Sequence, residues 1–344
     1  ADGRADFVAD YYGIDPRSIP EALPSIGIQA QHVKKINRQQ YFSKTVPPGN
    51  YSGITFLGDD RYAVVSDKSD EEGYFVFRIK VDSMSGKIKS VGNIGFKSLA
   101  VPNRDAEGIT YMPEKNTLFI VGERDSRIVE YDTIGVKTGR EIQLEMADGN
   151  YGYESLSYNA MTATLWTCTE NRLPRDRDVA DGDAAVPVLR LQSFDNNLML
   201  KNQYLYRMDS PVGRKSYRYY AHGVSEILAL DNGALLVLER EFAVPDAKIG
   251  AFVVCKLYKV NPSVEQPFPA DDSLSASAET ISKELLGEWK TRLTLVNYDI
   301  ANYEGMCLGP RLADGSQVIV LVADSQNQKG GVLRDWFRTI IISE

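Results

Sequence analysis

At 344 residues with a formal charge of -8, the chain lacks the Lys/Arg excess needed to neutralise a nucleic-acid backbone. Hydrophobic residues at 43% and charged residues at 25% describe a folded chain with a sizeable core, which excludes disorder as the default. No apolar run approaches the roughly 20 residues that cross a bilayer.

The opening string ADGRADFVADYYG lacks the basic-then-apolar layout of a signal peptide, and residues 1–25 are expected to form an N-terminal extension to a single domain over 26–344. From residue 51 onward one pattern organises the sequence. A short polar or acidic entry leads into a strand, then come a turn, a second and more apolar strand, and a closing acid. The pattern appears as YSGITFLGDDRYAVVSDK (51–68), AEGITYMPEKNTLFIVGER (106–124), YESLSYNAMTATLWTCTEN (153–171), VSEILALDNGALLVLER (224–240) and YEGMCLGPRLADGSQVIVLVADS (303–325). Turn chemistry at Gly58-Asp59, Pro113-Glu114, Asp231-Asn232-Gly233 and Asp314-Gly315 predicts that each unit is a β-hairpin. Further strand-like runs follow: YFVFRIKV (74–81), RIVEYDT (127–133), PVLRLQSF (187–194) and FVVCKLYKV (252–260).

The units recur roughly every 50 to 80 residues, the length of a four-stranded blade with insertions in the later ones. The expected fold is all-β, a β-propeller of five or six four-stranded blades. A sixth blade could lie between 241 and 302. Ring closure is expected where IGIQAQHVKKI (26–36) and VLRDWFRTIIIS (332–343) share one blade, which protects the sheet edges.

In a hairpin the start of the first strand lies beside the end of the second. Glu107 is therefore expected next to Glu123, Glu154 next to Glu170, Glu304 next to Asp324, Ser52 next to Asp67, and Ser225 next to Glu239. With the first strands innermost, the carboxylates of Asp67, Glu107, Glu123, Glu154, Glu170, Glu239, Glu304 and Asp324 converge on one mouth of the channel. Alternation puts Glu226 on the other side of its strand from Ser225. Crowded carboxylates must take up protons or cations. Oxygen ligands, in a chain with only His32 and His222 as histidines, suit Ca²⁺ first and Mg²⁺ second rather than zinc.

Cations follow the acids at Lys68, Arg124, Arg172 and Arg240. They either neutralise the ring as a structural ion network or hold an anionic substrate through groups suited to phosphate or carboxylate. The loops 171–187, 208–222 and 241–250 are expected to border the same mouth, the second carrying Arg214, Lys215 and Arg218 among Tyr217, Tyr219 and Tyr220. The Pro/Ser/Ala-rich segment 261–280 is expected on the far face. His222 stands near the mouth as a candidate general acid or base, or a structural histidine. No G-x-S-x-G, P-loop or H-E-x-x-H string occurs. Cys168, Cys255 and Cys307, at no metal-site spacing, are expected to be buried thiols, and Trp166, Trp289 and Trp336 core residues.

The ordered series YSGITF…SDK, DAEGITY…GER, YESLSY…TENRLP, HGVSEILAL…VLER and NYEGMCLGP…ADSQN resembles the phytase-like domain family, known by the esterase-like activity of phytase, over roughly residues 48 to 340. The resemblance implies a propeller with repeated acids and a phosphoesterase function. Ser52 and Ser225 stand where the other units carry Glu, so the ring is not five-fold uniform. The leading expectation is a metal-dependent phosphoesterase acting on a small anionic phosphate ester. Glu107, Glu154, Glu304 and His222 are its candidate catalytic groups, and Lys68, Arg124, Arg172 and Arg240 its substrate-binding groups. The alternatives are a calcium-dependent lactonase or carboxylesterase, and a binding propeller without catalysis. The resemblance and the Ca²⁺ expectation together imply an extracytoplasmic location, periplasmic or secreted. The sequence leaves the oligomeric state open.

Overall fold

The computed structural model describes residues 32–147, 152–176, 186–213, 217–275, 277–296, 298–328 and 332–343. The extension expected over 1–25 lies outside them. Two short strands come first, β1 (Val33–Ile36) and β2 (Gln40–Tyr41). The first blade is β3 (Tyr51–Gly58), β4 (Arg61–Ser66), β5 (Glu71–Val81) and β6 (Ile88–Pro102); the second is β7 (Ala106–Met112), β8 (Thr117–Gly122), β9 (Arg127–Asp132) and β10 (Lys137–Gln143). The third comprises β11 (Tyr153–Asn159), β12 (Thr164–Thr169), β13 (Val188–Phe194) and β14 (Leu200–Arg207). β15 (Tyr219–Ala229), β16 (Leu235–Val244), β17 (Phe252–Val260) and β18 (Lys283–Arg292) form the fourth. The last is β19 (Asn302–Arg311), β20 (Gln317–Asp324) and β21 (Trp336–Ile342), completed at its outer edge by β1 and β2.

The molecule is thus a five-bladed β-propeller. The stretch 241–302, where a sixth blade could have stood, instead supplies the end of β16, all of β17 and β18, and the long connection between them. Ring closure is as expected: β1 runs antiparallel to β21 with Val33 opposite Ile342 and Ile36 opposite Ile340, so the N-terminal strand hydrogen-bonds the last one. No helix among the described residues is long and apolar enough to cross a membrane.

The apolar second strands follow from the period of two. Each blade is sandwiched between two others, so both faces of its middle strands are buried and neither needs polar residues. On β4, Tyr62 and Val64 face the fifth blade while Ala63 and Val65 face the second. On β20, Ile319 and Leu321 pack on the fourth blade, and Val318, Val320 and Val322 on the first. Five hydrophobic clusters fill the five gaps between blades, and burial in them drives closure.

The inner strands β3, β7, β11, β15 and β19 line the channel and share one irregularity. Register shifts by a residue in each, near the start of all but β15, where it falls midway: Ala106 pairs with Gly122 but Gly108 with Val121, Tyr153 with Thr169 but Ser155 with Cys168, Tyr303 with Ala323 but Gly305 with Val322. The same slip falls between Tyr51 and Ile54 and between Val224 and Glu226. Each is a β-bulge, and such a bulge re-aims the extra residue. That residue is Glu107, Glu154, Ser225 and Glu304 in the last four blades. Beyond the bulge, hydroxyls tie inner strand to inner strand: the N–H groups of Tyr111, Tyr158 and Ala229 donate to Thr55, Thr110 and Ser157 at 3.1, 2.9 and 2.9 Å.

The residue after the bulge sits where inner strands approach most closely. A Cβ on Gly305 would lie 2.2 Å from the backbone oxygen of Ser52, whereas one on Gly92 in the outer strand β6 would meet nothing within 4 Å. Gly305→Ala is expected to cost about 1–3 kcal/mol in urea or thermal unfolding, and Gly92→Ala to be near neutral.

Candidate functional site

Two side chains from each blade point at the same end of the channel: the bulged residue of the first strand and the residue that ends the second. The bulged set is Ser52, Glu107, Glu154, Ser225 and Glu304. The second set follows from the hydrogen bonds that end each hairpin. The N–H groups of Asp67, Glu123 and Glu170 donate to the carbonyls of Asn50, Asp105 and Gly152 at 3.2, 2.9 and 2.8 Å, and Asp324 pairs with Asn302. Two of these acids lie over the glycine that leads into the next blade's inner strand. A Cβ on Gly152 would stand 2.2 Å from Cγ of Glu123, and one on Gly223 2.2 Å from Cγ of Glu170. The blades thus interlock at the mouth, each acid leaning on its neighbour.

In the fourth blade the register corrects the sequence reading. Glu239 pairs with Val224, and it is Arg240, opposite Gly223, that stands where the other blades place a carboxylate. Because side chains alternate, Glu239 points away from the channel. It accepts from the Tyr206 hydroxyl at 2.6 Å, the Asp209 N–H at 3.0 Å and Lys283 Nζ at 2.7 Å, and is buried. The structure also adds an acid. Asp105, in the left-handed region at φ 62°, turns its carboxylate to Lys68 Nζ at 2.8 Å and Arg124 Nε at 3.2 Å.

The ring therefore holds Asp67, Asp105, Glu107, Glu123, Glu154, Glu170, Glu304 and Asp324. Carboxylate oxygens of Asp67, Asp105 and Glu107 lie within 4.8 Å of one another, as do those of Glu107, Glu123 and Glu154. Glu107 belongs to both groups. Against these acids stand Lys68, which bridges Asp67 and Asp105 at 2.7 and 2.8 Å, and Arg124. Arg240 is the third cation, with Nη2 2.8 Å from Glu170 and 3.5 Å from Glu304.

Burial, joined in most of them by mutual repulsion, holds Asp67, Glu107, Glu123, Glu154, Glu170, Glu304 and Asp324 above the ordinary carboxylate range. For Glu107 and Glu154 the shift is large, caused first by burial and then by neighbouring carboxylates: Asp67 and Glu304 beside Glu107, and Glu107 and Glu170 beside Glu154. Glu304 is likewise well above its usual value, from burial and then Asp324, with Arg240 opposing. Burial pushes Asp324 up to about 7 against the pull of the Gln326 N–H. Burial also raises Asp67, Glu123 and Glu170.

The donor set fits a hard cation. Three oxygens near this mouth, Asn50 Oδ1, Asp67 Oδ1 and Asn302 Oδ1, are buried with no hydrogen-bond partner among the described residues. Oxygen atoms 4.8 Å apart or closer can share one Ca²⁺ with bonds of about 2.3–2.6 Å.

Other expected site residues are not brought into the ring. Arg172 donates from Nη2 to the Val186 carbonyl at 2.9 Å, and no bond to a ring acid is seen. His222 lies across the strand pair from Glu241 and borders a small pocket with Asp209, Ser210, Glu239, Arg240, Glu241 and Lys256, which only Arg240 shares with the ring; burial lowers its pKa. Of the expected lid, Arg214 and Lys215 lie outside the described residues. Tyr217 packs edge-on against Phe252, and Tyr219 lies 5.3 Å from Phe242. Tyr219 also senses Arg240, Glu304 and Glu170, which places it beside that part of the ring. Glu226 follows the bulge rather than simple alternation. It occupies the post-bulge position held by Gly108 and Gly305 in other blades, and its Oε1 accepts the N–H groups of Leu156 at 3.2 Å and Ile227 at 3.0 Å. The three cysteines are buried free thiols among the described residues, and Trp166 and Trp289 are buried.

A family model described as phytase-like, with the esterase-like activity of phytase, matches residues 46–326. No curated protein matches the sequence. Among solved structures, the endo-arabinase from Bacteroides thetaiotaomicron VPI-5482 is similar at 10% identity and a TM-score of 0.47, over 89% of this chain and 98% of that one. Streptogramin B lyase is similar at 12% and 0.38, over 89% and 98%, and a calcium structure of the Trichoderma reesei carbohydrate-active enzyme family AA12 at 9% and 0.41, over 89% and 95%.

Acids whose folded pKa is raised bind more protons folded than unfolded, so stability falls as pH climbs from the unfolded value near 4.5 towards the folded ones. Each tenfold gain in proton affinity on folding is worth about 1.4 kcal/mol. In calorimetry of metal-free protein, Tm is expected to drop between pH 5.5 and pH 8, and Ca²⁺ to raise Tm more at the upper end. A Tm that is flat or rising over this window would show the acids to be compensated from within.

Proposed function

Because the chain belongs to the phytase-like family, we propose that it is a metal-dependent hydrolase of phosphate esters working at the carboxylate ring. The observation that carries this reading is the pair of oxygen triads sharing the buried Glu107, set beside oxygens with no partner of their own. Asp67, Asp105, Glu107, Glu123 and Glu154 would hold the ion, Ca²⁺ first and Mg²⁺ as the alternative. A bound divalent cation supplies Lewis-acid polarisation of a phosphoryl oxygen and lowers the pKa of water.

The chain's own groups divide the remaining work. Lys68 and Arg124 are 55% and 64% exposed at the rim while anchored on Asp105, so each can present donors to an incoming phosphate. Asp324 is pushed up to about 7 by burial and stands beside Glu304, so this pair can give and take a proton near neutral pH. Tyr219 adds an exposed aromatic edge next to the same carboxylates. The interlocked blades hold these groups without rearrangement, which is what electrostatic stabilisation of a developing charge requires. We place the protein outside the cytoplasm, where Ca²⁺ reaches the concentrations that extracellular calcium modules use.

The test is turnover of a panel of phosphate monoesters, lactones and carboxyl esters by chelated protein before and after Ca²⁺ is restored. Phosphate esters alone should be hydrolysed, with at least about a 10²-fold loss on chelation and a similar loss in Glu107→Gln. Full activity without metal would refute the mechanism, and preference for lactones would move the substrate class. Binding without turnover of any ester would leave a ligand-binding propeller.

A further inference from the structure

Nine of the ten ring positions carry an acid or a serine, and the remaining one carries a guanidinium. Arg240 is buried at 4% exposure, and its Nη2 lies between Glu170 of the third blade and Glu304 of the fifth, 2.8 and 3.5 Å away. Its Nε has no hydrogen-bond partner. The other ring residue of the fourth blade is Ser225, so this blade offers the mouth a positive charge and no carboxylate. The first and second blades, across the ring, bring Asp67, Asp105, Glu107 and Glu123.

The distribution of oxygens mirrors that asymmetry. Both groups of acids close enough to share an ion, among the described residues, centre on Glu107, and neither includes Glu170, Glu304 or Asp324. Yet Glu304 is well above its usual pKa partly because Asp324 is near, so two more acids crowd the Arg240 side without forming a third group. A surface ion pair would explain little, because exposed pairs are screened and weak. Arg240 is sealed from solvent, and a cation buried among acids is a permanent part of the charge balance.

We infer that Arg240 is a resident cation occupying the fourth blade's carboxylate position in the ring in place of a metal ion. It confines exchangeable cations to the Glu107 half and suppresses a second site that Glu170, Glu304 and Asp324 would otherwise form. A guanidinium cannot lose its proton in a protein, so this charge is fixed where a lysine or histidine could switch. The inference rests on the reading that the ring binds divalent cations, and it adds how many and on which side.

The experiment measures Ca²⁺ stoichiometry by titration calorimetry, together with Tm in EDTA and in Ca²⁺, for the full chain and three variants. Arg240→Met should bind one Ca²⁺ more than the parent, melt lower in EDTA, and gain more from Ca²⁺. Arg240→Lys, which keeps the charge, should retain the parental number. Arg240→Met combined with Glu170→Gln should lose the additional ion. If Arg240→Met folds only in Ca²⁺, the double variant supplies the comparison in EDTA and should fold there. An Arg240→Met protein with the parental stoichiometry and the parental gain in Tm overturns the inference while leaving the ring a metal site. A parent that binds no Ca²⁺ while Arg240→Met binds one would overturn the proposed function and keep the role of Arg240. Binding by neither overturns both.

Discussion

Repulsion among carboxylates gathered in one partly dehydrated ring is the constraint on which the rest of this structure depends. Charges a few ångströms apart repel far more strongly there than in water, and burial penalises each ionised acid separately. Nothing local to any blade calls for this crowding. It comes from repetition: a one-residue bulge in every inner strand turns a side chain towards the mouth, and ring closure brings those side chains together. The interblade clusters and the pairing of β1 with β21 supply the stability that holds the arrangement in place.

Three cations relieve the repulsion to different degrees. Lys68 and Arg124 reach in from the rim on flexible, exposed side chains and meet Asp105. Arg240 is built into the wall and balances Glu170 and Glu304. Glu107 and Glu154 have no cation within ion-pair distance among the described residues, and their pKa values are raised first by burial and then by neighbouring carboxylates, Asp67 and Glu304 for Glu107, Glu107 and Glu170 for Glu154. That uncompensated half is where protons or a divalent ion must enter. The uneven placement of charge gives the mouth two sides, one suited to a cation and one already holding its own.

Much of this was legible in the sequence because strand period and hairpin geometry are local rules. Turns such as Asp231-Asn232-Gly233 marked the hairpins, and the apolar runs of β4, β8, β12, β16 and β20 marked strands buried on both faces. The convergence of Glu107, Glu154, Glu304, Asp67, Glu123, Glu170 and Asp324 followed from where strands begin and end. Three features were not legible. The strings GER and LER look alike, yet Glu123 lies one pair beyond Ala106–Gly122 whereas Glu239 pairs directly with Val224, so matching residue types put Glu239 where Arg240 stands. The bonds that Glu226, rightly left out of the ring, makes to Leu156 and Ile227 were not legible either, since strict alternation fails across a bulge. Asp105 precedes its strand in a left-handed turn, and its aim is set by Lys68 and Arg124 from outside the hairpin repeat's own logic.

The central claim is that these acids form one cation-binding cluster organised around Glu107. Anomalous diffraction from crystals of the full chain soaked in a lanthanide such as terbium tests it directly, because such ions replace Ca²⁺ at oxygen sites and are located without reference to activity. The expected result is a strong peak in coordination contact with Glu107 and its neighbours, and no peak between Glu170 and Glu304. Peaks confined to exposed surface carboxylates, with the mouth left empty, would contradict the account.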